Sequence, residues 1–145
     1  YKPRRKTMYE EKLQIFLSMK QKKYPYISFN LSPKPFEQPS FEIQILLEDF
    51  FSPKSIVNTS LELFPIDVFD KNYAISFHTK ELKLKATNVK KEPIRLLVIE
   101  ILHIHSYNDK IFSQLINSLE KLLKNIDITK KIKGSFLYIQ KNKNA

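Results

Sequence analysis

Residues 93–124 read PIRLLVIEILHIHSYNDKIFSQLINSLEKLLK, a strand pattern followed at once by a helix pattern. Pro93 opens a run, Ile94–Ile104, that is apolar on both faces apart from Arg95, Glu100 and His103. It carries the β-branched residues Val98, Ile99, Ile101 and Ile104. A strand without a polar face has to be covered on both sides, so this run is the expected centre of a sheet. Ser106, Asn108 or Asp109 then caps the next element. Its apolar residues Ile111, Leu115, Leu119, Leu122 and Leu123 recur at spacings of 4, 4, 3 and 1, while Lys110, Ser113, Gln114, Asn117, Lys121 and Lys124 take the other side. The spacing predicts an amphipathic helix over 108–124, with Asn125 placed to end it in a left-handed turn.

Working upstream, Phe41, Ile43, Ile45 and Leu47 alternate with Glu42, Gln44 and Glu48, the period of a half-buried strand. Leu61–Phe69 is a second apolar run, held to a sheet edge or broken in two by Pro65. Tyr73, Ile75 and Phe77 alternate after an Asp70–Asn72 turn, and Leu82, Leu84 and Ala86 alternate with Lys83 and Lys85. Downstream, Ile126–Ile132 and Ser135–Ile139 are expected as one or two strands around Gly134. Near the N-terminus, Thr7 and Glu10 form a capping box for a helix over 8–21, in which Ile15, Leu17 and Met19 widen the apolar surface beyond Leu13 and Phe16. Pro25, Pro33, Pro35 and Pro39 make residues 24–40 an extended connector. The expected organisation is a basic helix and proline-rich arm over 1–40, an α+β domain over 41–140, and a frayed tail over 141–145. The domain is a mainly antiparallel sheet of about four to six strands with one long amphipathic helix packed on it.

Composition narrows the function. The chain has 145 residues, enough to bury roughly two thirds of its unfolded surface in one core. It has no Cys and a single Gly, so disulfides, thiolate metal sites, thiol nucleophiles and glycine-rich phosphate loops are all excluded. His103 and His105 point to one face of a strand and could join His78 at a metal, but spacing supplies no carboxylate or thiolate to complete the set. Asp67 with Asp70, and Glu48 with Asp49, read as turn and strand-end acids, and no serine sits in a strand–turn–helix elbow. The expectation is a protein that is not an enzyme and needs no cofactor or small-molecule substrate.

The positive signal is charge. Lys and Arg number 25 against 15 Asp and Glu, a net of +10, which favours a polyanion because each phosphate neutralised releases condensed counterions. The basic residues are 22 Lys and 3 Arg, a bias that AT-rich coding also produces, but they are unevenly placed. Residues 1–23 hold 8 basic and 2 acidic residues and 121–145 hold 7 and 1, whereas 37–72 hold 7 acidic and 2 basic. The candidate RNA-contacting residues are Lys2, Arg4, Arg5, Lys6, Lys22, Lys23, Lys83, Lys85, Lys90, Lys91, Lys130, Lys131, Lys133, Lys141 and Lys143. Lysines at strand edges also guard against aggregation. Tyr24, Tyr26, Phe29 and Phe36 beside Lys22, Lys23 and Lys34 offer either base stacking or anchorage to protein. Tyr1–Lys6, YKPRRK, fits the tail left by a cleaved mitochondrial presequence, and fits a simple basic arm equally.

The run Ile101-Leu102-His103-Ile104-His105-Ser106, the helix from Asp109, and the closing Asn125-Ile126-Asp127-Ile128 together resemble the second half of the small-subunit ribosomal protein number ten family. In that ferredoxin-like family a strand leads through a helix into a short "glycine, valine, acid, valine" strand, with Asn125 here in place of the glycine. The resemblance spans about a fifth of the chain. Phe51–Ser60, containing Pro53, is too short and too poorly patterned for the helix the family has between its first two strands, and Phe64-Pro65-Ile66-Asp67 only loosely matches its proline loop. The resemblance implies contact with ribosomal RNA and neighbouring ribosomal proteins. The expected function is therefore a structural RNA-associated subunit of a ribonucleoprotein, a mitochondrial ribosomal protein located in mitochondria and not in a membrane. The rival is a non-enzymatic interaction module or accessory subunit of a respiratory or ciliary assembly without nucleic acid.

Overall fold

The computed structural model describes residues 7–31, 40–47, 52–64, 75–82, 94–102, 104 and 107–143. Helix α1, Met8–Lys23, begins where the Thr7 side chain accepts a hydrogen bond from the Glu10 amide at 3.3 Å. Glu10 and Glu11 in its first turn and Lys20, Lys22 and Lys23 in its last both suit the helix dipole. Leu13 and Leu17 are buried, so the expected helix forms and belongs to the core.

Residues 24–40 were expected to be a connector throughout, but Ile27–Leu31 is strand β1, which pairs antiparallel with β2, Ser40–Leu47. Five residues between the flanking prolines are enough for an edge strand, which is where proline-bounded segments are tolerated. Leu13, Leu17, Tyr24 and Ile27 share one buried cluster with Phe41, Ile43, Ile45 and Leu47. Packing therefore runs across the expected 40/41 boundary, and residues 32–39 lie outside the described set.

Helix α2, Pro53–Leu63, corrects two expectations at once: the absence of a helix at 51–60 and the strand over 61–69. Pro53 starts the helix instead of breaking it, because the first helical position has no amide bond to lose. The Ser52 side chain caps it by accepting from the Ser55 amide. Ile56 and Ser60 face inward, and the Ser60 hydroxyl donates to the Ile56 carbonyl oxygen at 2.8 Å, so its burial leaves no donor unpaired. Residues 65–69 are outside the described set.

Strand β3, Ile75–Leu82, alternates half-buried and exposed positions from Ile75 to Lys80, and includes Leu82, expected to open a separate strand. The rest of that strand, 83–86, lies outside the described residues. Strand β4, Ile94–Leu102, lies between β2 and β3 in a sheet of order β1-β2-β4-β3, antiparallel at every step. The expected central strand is thus the central strand. Since β2 and β3 both run antiparallel to β4, they are parallel to each other, and β2–α2–β3 is a split βαβ unit with β4 inserted.

Ile104 and Tyr107 are buried, and Asn108 caps the last helix by accepting from the Ile111 amide at 2.9 Å. That helix, α3, spans Asp109–Lys143 and is about 52 Å long. It does not stop at Asn125. The strands expected at 126–132 and 135–139, including the Ile126-Asp127-Ile128 strand implied by the family resemblance, are helical, and so is the start of the frayed tail up to Lys143. Ile126 continues the inward row of Leu115, Leu119, Leu122 and Leu123. Asp127 pairs with Lys131 one turn on at 3.0 Å, and the Thr129 hydroxyl donates to the Asn125 carbonyl oxygen at 2.8 Å.

All three helices bury their apolar sides in one cluster with Phe41, Ile43, Ile45, Leu97, Ile99 and Ile101. The fold is α+β, with the long helix α3 packed on the sheet. On the opposite sheet face, Val98 lies between Gln44 and His78, and Leu96 between Leu46 and Lys80. Val98 and Leu96 are buried there, outside the helix-side cluster.

The helical reading of 126–132 separates two isoleucines that a strand would place together: Ile126 is 1% exposed and Ile128 55%. Ile126→Ala is expected to cost about 2–5 kcal/mol of unfolding free energy and Ile128→Ala less than about 0.5 kcal/mol, measured by urea denaturation. Equal costs would return this segment to the sheet.

Candidate polyanion interface

Helices α1 and α3 lie side by side and run parallel. Tyr9 stacks on Phe112 with ring centroids 5.1 Å apart, and Lys20 Nζ lies 3.3 Å from Glu120 Oε1, so both N-termini are at one end. The Tyr9 hydroxyl donates to Asp109 Oδ1 at 2.6 Å, and that bond holds the phenol above its ordinary range. The lysine-rich N-terminal helix and the start of the lysine-rich C-terminal segment are therefore neighbours in one layer.

Lys12, Lys22, Lys110, Lys121 and Lys124 are exposed and make no ion pair among the described residues. Of the acids of the same layer, Glu120 is paired with Lys20, Asp127 with Lys131, and Asp109 accepts from Tyr9, while Glu11 and Glu62 are exposed. The opposite face of the sheet has the other character. Glu42 and Glu100 stand directly across from each other on β2 and β4, and Gln44 Nε2 donates to Glu42 Oε1 at 2.6 Å. Ser28, Asn30, Glu42 and Gln44 line a shallow depression there. Two facing carboxylates repel phosphate, so the helix layer is the face suited to a polyanion.

Of the lysines singled out from sequence, Lys22 and Lys23 are exposed at the end of α1, with Lys23 Nζ 5.2 Å from the centre of the Tyr24 ring. Lys130 lies over the Tyr26 ring at 4.1 Å, a cation–π contact joining α3 to the chain just after α1. Lys131 is exposed and pairs with Asp127. Lys133, Lys141 and Lys143 lie on the C-terminal part of α3. Lys2, Arg4, Arg5, Lys6, Lys83, Lys85, Lys90 and Lys91 are outside the described residues, as are His103, His105 and Phe36. Lys12, Lys110, Lys121 and Lys124 were not singled out as phosphate contacts. Helical phase is the signal that finds them, since they project away from Leu13, Leu17, Leu115 and Leu119.

Tyr24, Tyr26 and Phe29 do not offer stacking platforms. Tyr24 is buried, Phe29 packs on the core from β1, and Tyr26 is covered by Lys130, so these rings anchor the chain to its own fold. The Tyr26 hydroxyl is buried without a well-aligned hydrogen bond. Burial first, and the nearby Asp127 carboxylate second, push its pKa far above the ordinary value of 10.0. Among the described residues no group of three or more His, Asp or Glu is gathered to hold a metal ion, and no helix is long and apolar enough to cross a membrane. Comparison with protein-family models, curated proteins and solved structures finds no match to this chain.

A phenol pKa raised by folding means that the folded chain keeps a proton the unfolded chain releases near pH 10.0. The stabilisation is complete below that value and is lost as the pH climbs toward the folded pKa. Tyr26→Phe is expected to flatten the loss of stability above about pH 10, and Asp127→Asn to lower the pH at which Tyr26 ionises. Phenolate absorbance combined with denaturation at alkaline pH checks both. Ionisation of Tyr26 in step with free tyrosine would contradict the burial.

Proposed function

We propose that this protein is a structural, non-enzymatic subunit of a ribonucleoprotein. It would be a protein of the mitochondrial ribosome that meets ribosomal RNA through its helix layer and neighbouring ribosomal proteins elsewhere. The observation that carries the reading is the separation of charge between the two faces of the fold. Lysines with no ion pair among the described residues project from α1 and α3, while on the other sheet face two carboxylates stand opposed and Lys80 is the one described lysine. Helical lysines spaced along a rigid layer suit phosphate contact, which positions a protein on RNA without reading sequence. Tyr24, Tyr26 and Phe29 are engaged within the fold, which favours backbone contact over base stacking among the described residues.

The element run β2–α2–β3–β4–α3 supplies five of the six members of the β-α-β-β-α-β order, in keeping with the proposed ribosomal resemblance. The sixth place, a strand after the second helix, is not filled in that way, because α3 continues to Lys143. Such topology hosts many functions, so charge carries the reading and topology only accompanies it. The second reading, an interaction module in a large assembly without nucleic acid, is favoured by the exposed Met8, Ile15 and Met19 on α1.

Sedimentation of the native protein, with and without ribonuclease, tests the class. Co-migration with a ribosomal subunit that collapses on ribonuclease treatment is expected. Migration as a free small protein, or in a particle indifferent to ribonuclease, would favour the interaction module. With purified protein, Lys121→Gln and Lys124→Gln are each expected to weaken RNA binding and to reduce the slope of log affinity against log salt by about 0.7–0.9 per lost phosphate contact. An unchanged slope would remove α3 from the interface.

A further inference from the structure

Helix α1 has two apolar sides. Leu13 and Leu17 face the core, yet Met8, Ile15 and Met19 are 53%, 62% and 66% exposed. At about 100° per residue, these three fall on one narrow stripe opposite Leu13 and Leu17. The stripe has a definite order: Met8, Lys12, Ile15, Met19 and Lys22 follow one another at steps of 4, 3, 4 and 3. That is the alternation of the contact positions in a coiled coil, with lysine at two of the five places. Lys23 flanks the stripe on the side toward α3, and Glu11 is its one flanking acid.

We propose that the outer face of α1 docks an acidic amphipathic helix from a protein partner, in coiled-coil fashion. Glutamates of that helix would meet Lys12 and Lys22, and apolar residues would cover Met8, Ile15 and Met19. A phosphate backbone gives three aliphatic side chains nothing to bury against, so the stripe is not explained by RNA. A second copy in parallel register would set Lys12 against Lys12 and Lys22 against Lys22, a repulsive pairing. A seam one residue wide at each step also fits a helix better than a flat surface, which an interfacial helix meets with a broad apolar side. The inference goes beyond the ribonucleoprotein reading: it assigns Lys12 and Lys22 to the partner helix and leaves Lys110, Lys121 and Lys124 of α3 to phosphate.

The test uses the full chain and a labelled synthetic peptide of three heptads, with leucine at the two contact positions and glutamate at the flanking positions. A second peptide carries lysine in place of glutamate. Fluorescence anisotropy is expected to show binding of the glutamate peptide over the lysine one. The double change Ile15→Gln with Met19→Gln should weaken it at least about tenfold, with the melting temperature and the RNA affinity unchanged, because both side chains are exposed. Lys12→Glu should shift the preference toward the lysine peptide. The proposal is overturned if neither peptide binds, if the two bind equally, or if the Gln variant binds as the parent does. It is also overturned if the Gln change instead abolishes a dimer in sedimentation, or abolishes binding to anionic phospholipid vesicles that the parent binds while ignoring the peptide. Loss of RNA binding in Lys121→Gln with peptide binding intact would separate this docking face from the RNA face.

Discussion

Strand β4 has neither a free edge nor a free side, and the rest of the structure is arranged around meeting that requirement. Its backbone is paired on both edges by β2 and β3. Leu97, Ile99 and Ile101 are wholly withdrawn from water on one face, while Leu96 and Val98 are buried on the other. Covering the first face demands a helix layer, which is why α1, α2 and α3 all turn their apolar sides to it. On the second face Leu96 and Val98 lie between Gln44, Leu46, His78 and Lys80, and the face is polar beyond them, with Glu42 and Glu100 opposed. The two faces thus differ in charge because they differ in how they satisfy one strand.

The same arrangement decides where lysine can be useful. A lysine on a helix whose other side is locked into the core is held at a fixed height on a rigid support. Lys20 with Glu120 and Lys131 with Asp127 tie two of the layer's carboxylates to fixed partners, and Glu11 and Glu62 remain exposed. What is left over is a positive layer built from the two most basic parts of the chain, brought together because α1 and α3 run parallel.

The parts that were legible in sequence are those where one pattern had one reading. The apolar run of β4 and the first half of α3 could only be a buried strand and an amphipathic helix, and Thr7 and Asn108 behave as the caps their chemistry suggests. Ser52-Pro53 is ambiguous because proline breaks a helix in its interior but opens one at its start, and sequence alone does not say which end is in view. At Ile126–Ile132 the residues 126, 128 and 132 satisfy a period of two and, in part, a helical period, and the β-branched side chains tilted the balance to strand. Tertiary contact of Ile126 with the core resolves it the other way. β1 was hidden by its brevity among prolines. As for the interface, the excess of lysine was visible in the counts, but its gathering onto one layer depended on α1 and α3 being parallel, a long-range fact that no local pattern carries.

The order in which the elements leave the synthesising ribosome follows from the place of β4 in the sheet. Strand β2 finds β1 at once, but its other neighbour lies about fifty residues further along the chain. Until β4 arrives, β1 and β2 form a two-stranded ribbon with an open inner edge, and Phe41, Ile43 and Ile45 have only α1 and α2 to cover them, a sheet too small to be stable alone and well suited to pairing with the wrong strand. A chain stalled or cleaved before residue 94 therefore has no native state to fall into and is a client for chaperones or proteases. Its safe lifetime is set by translation speed, so slow decoding between β2 and β4 should raise the fraction lost to aggregation even though every residue of the finished protein is unchanged.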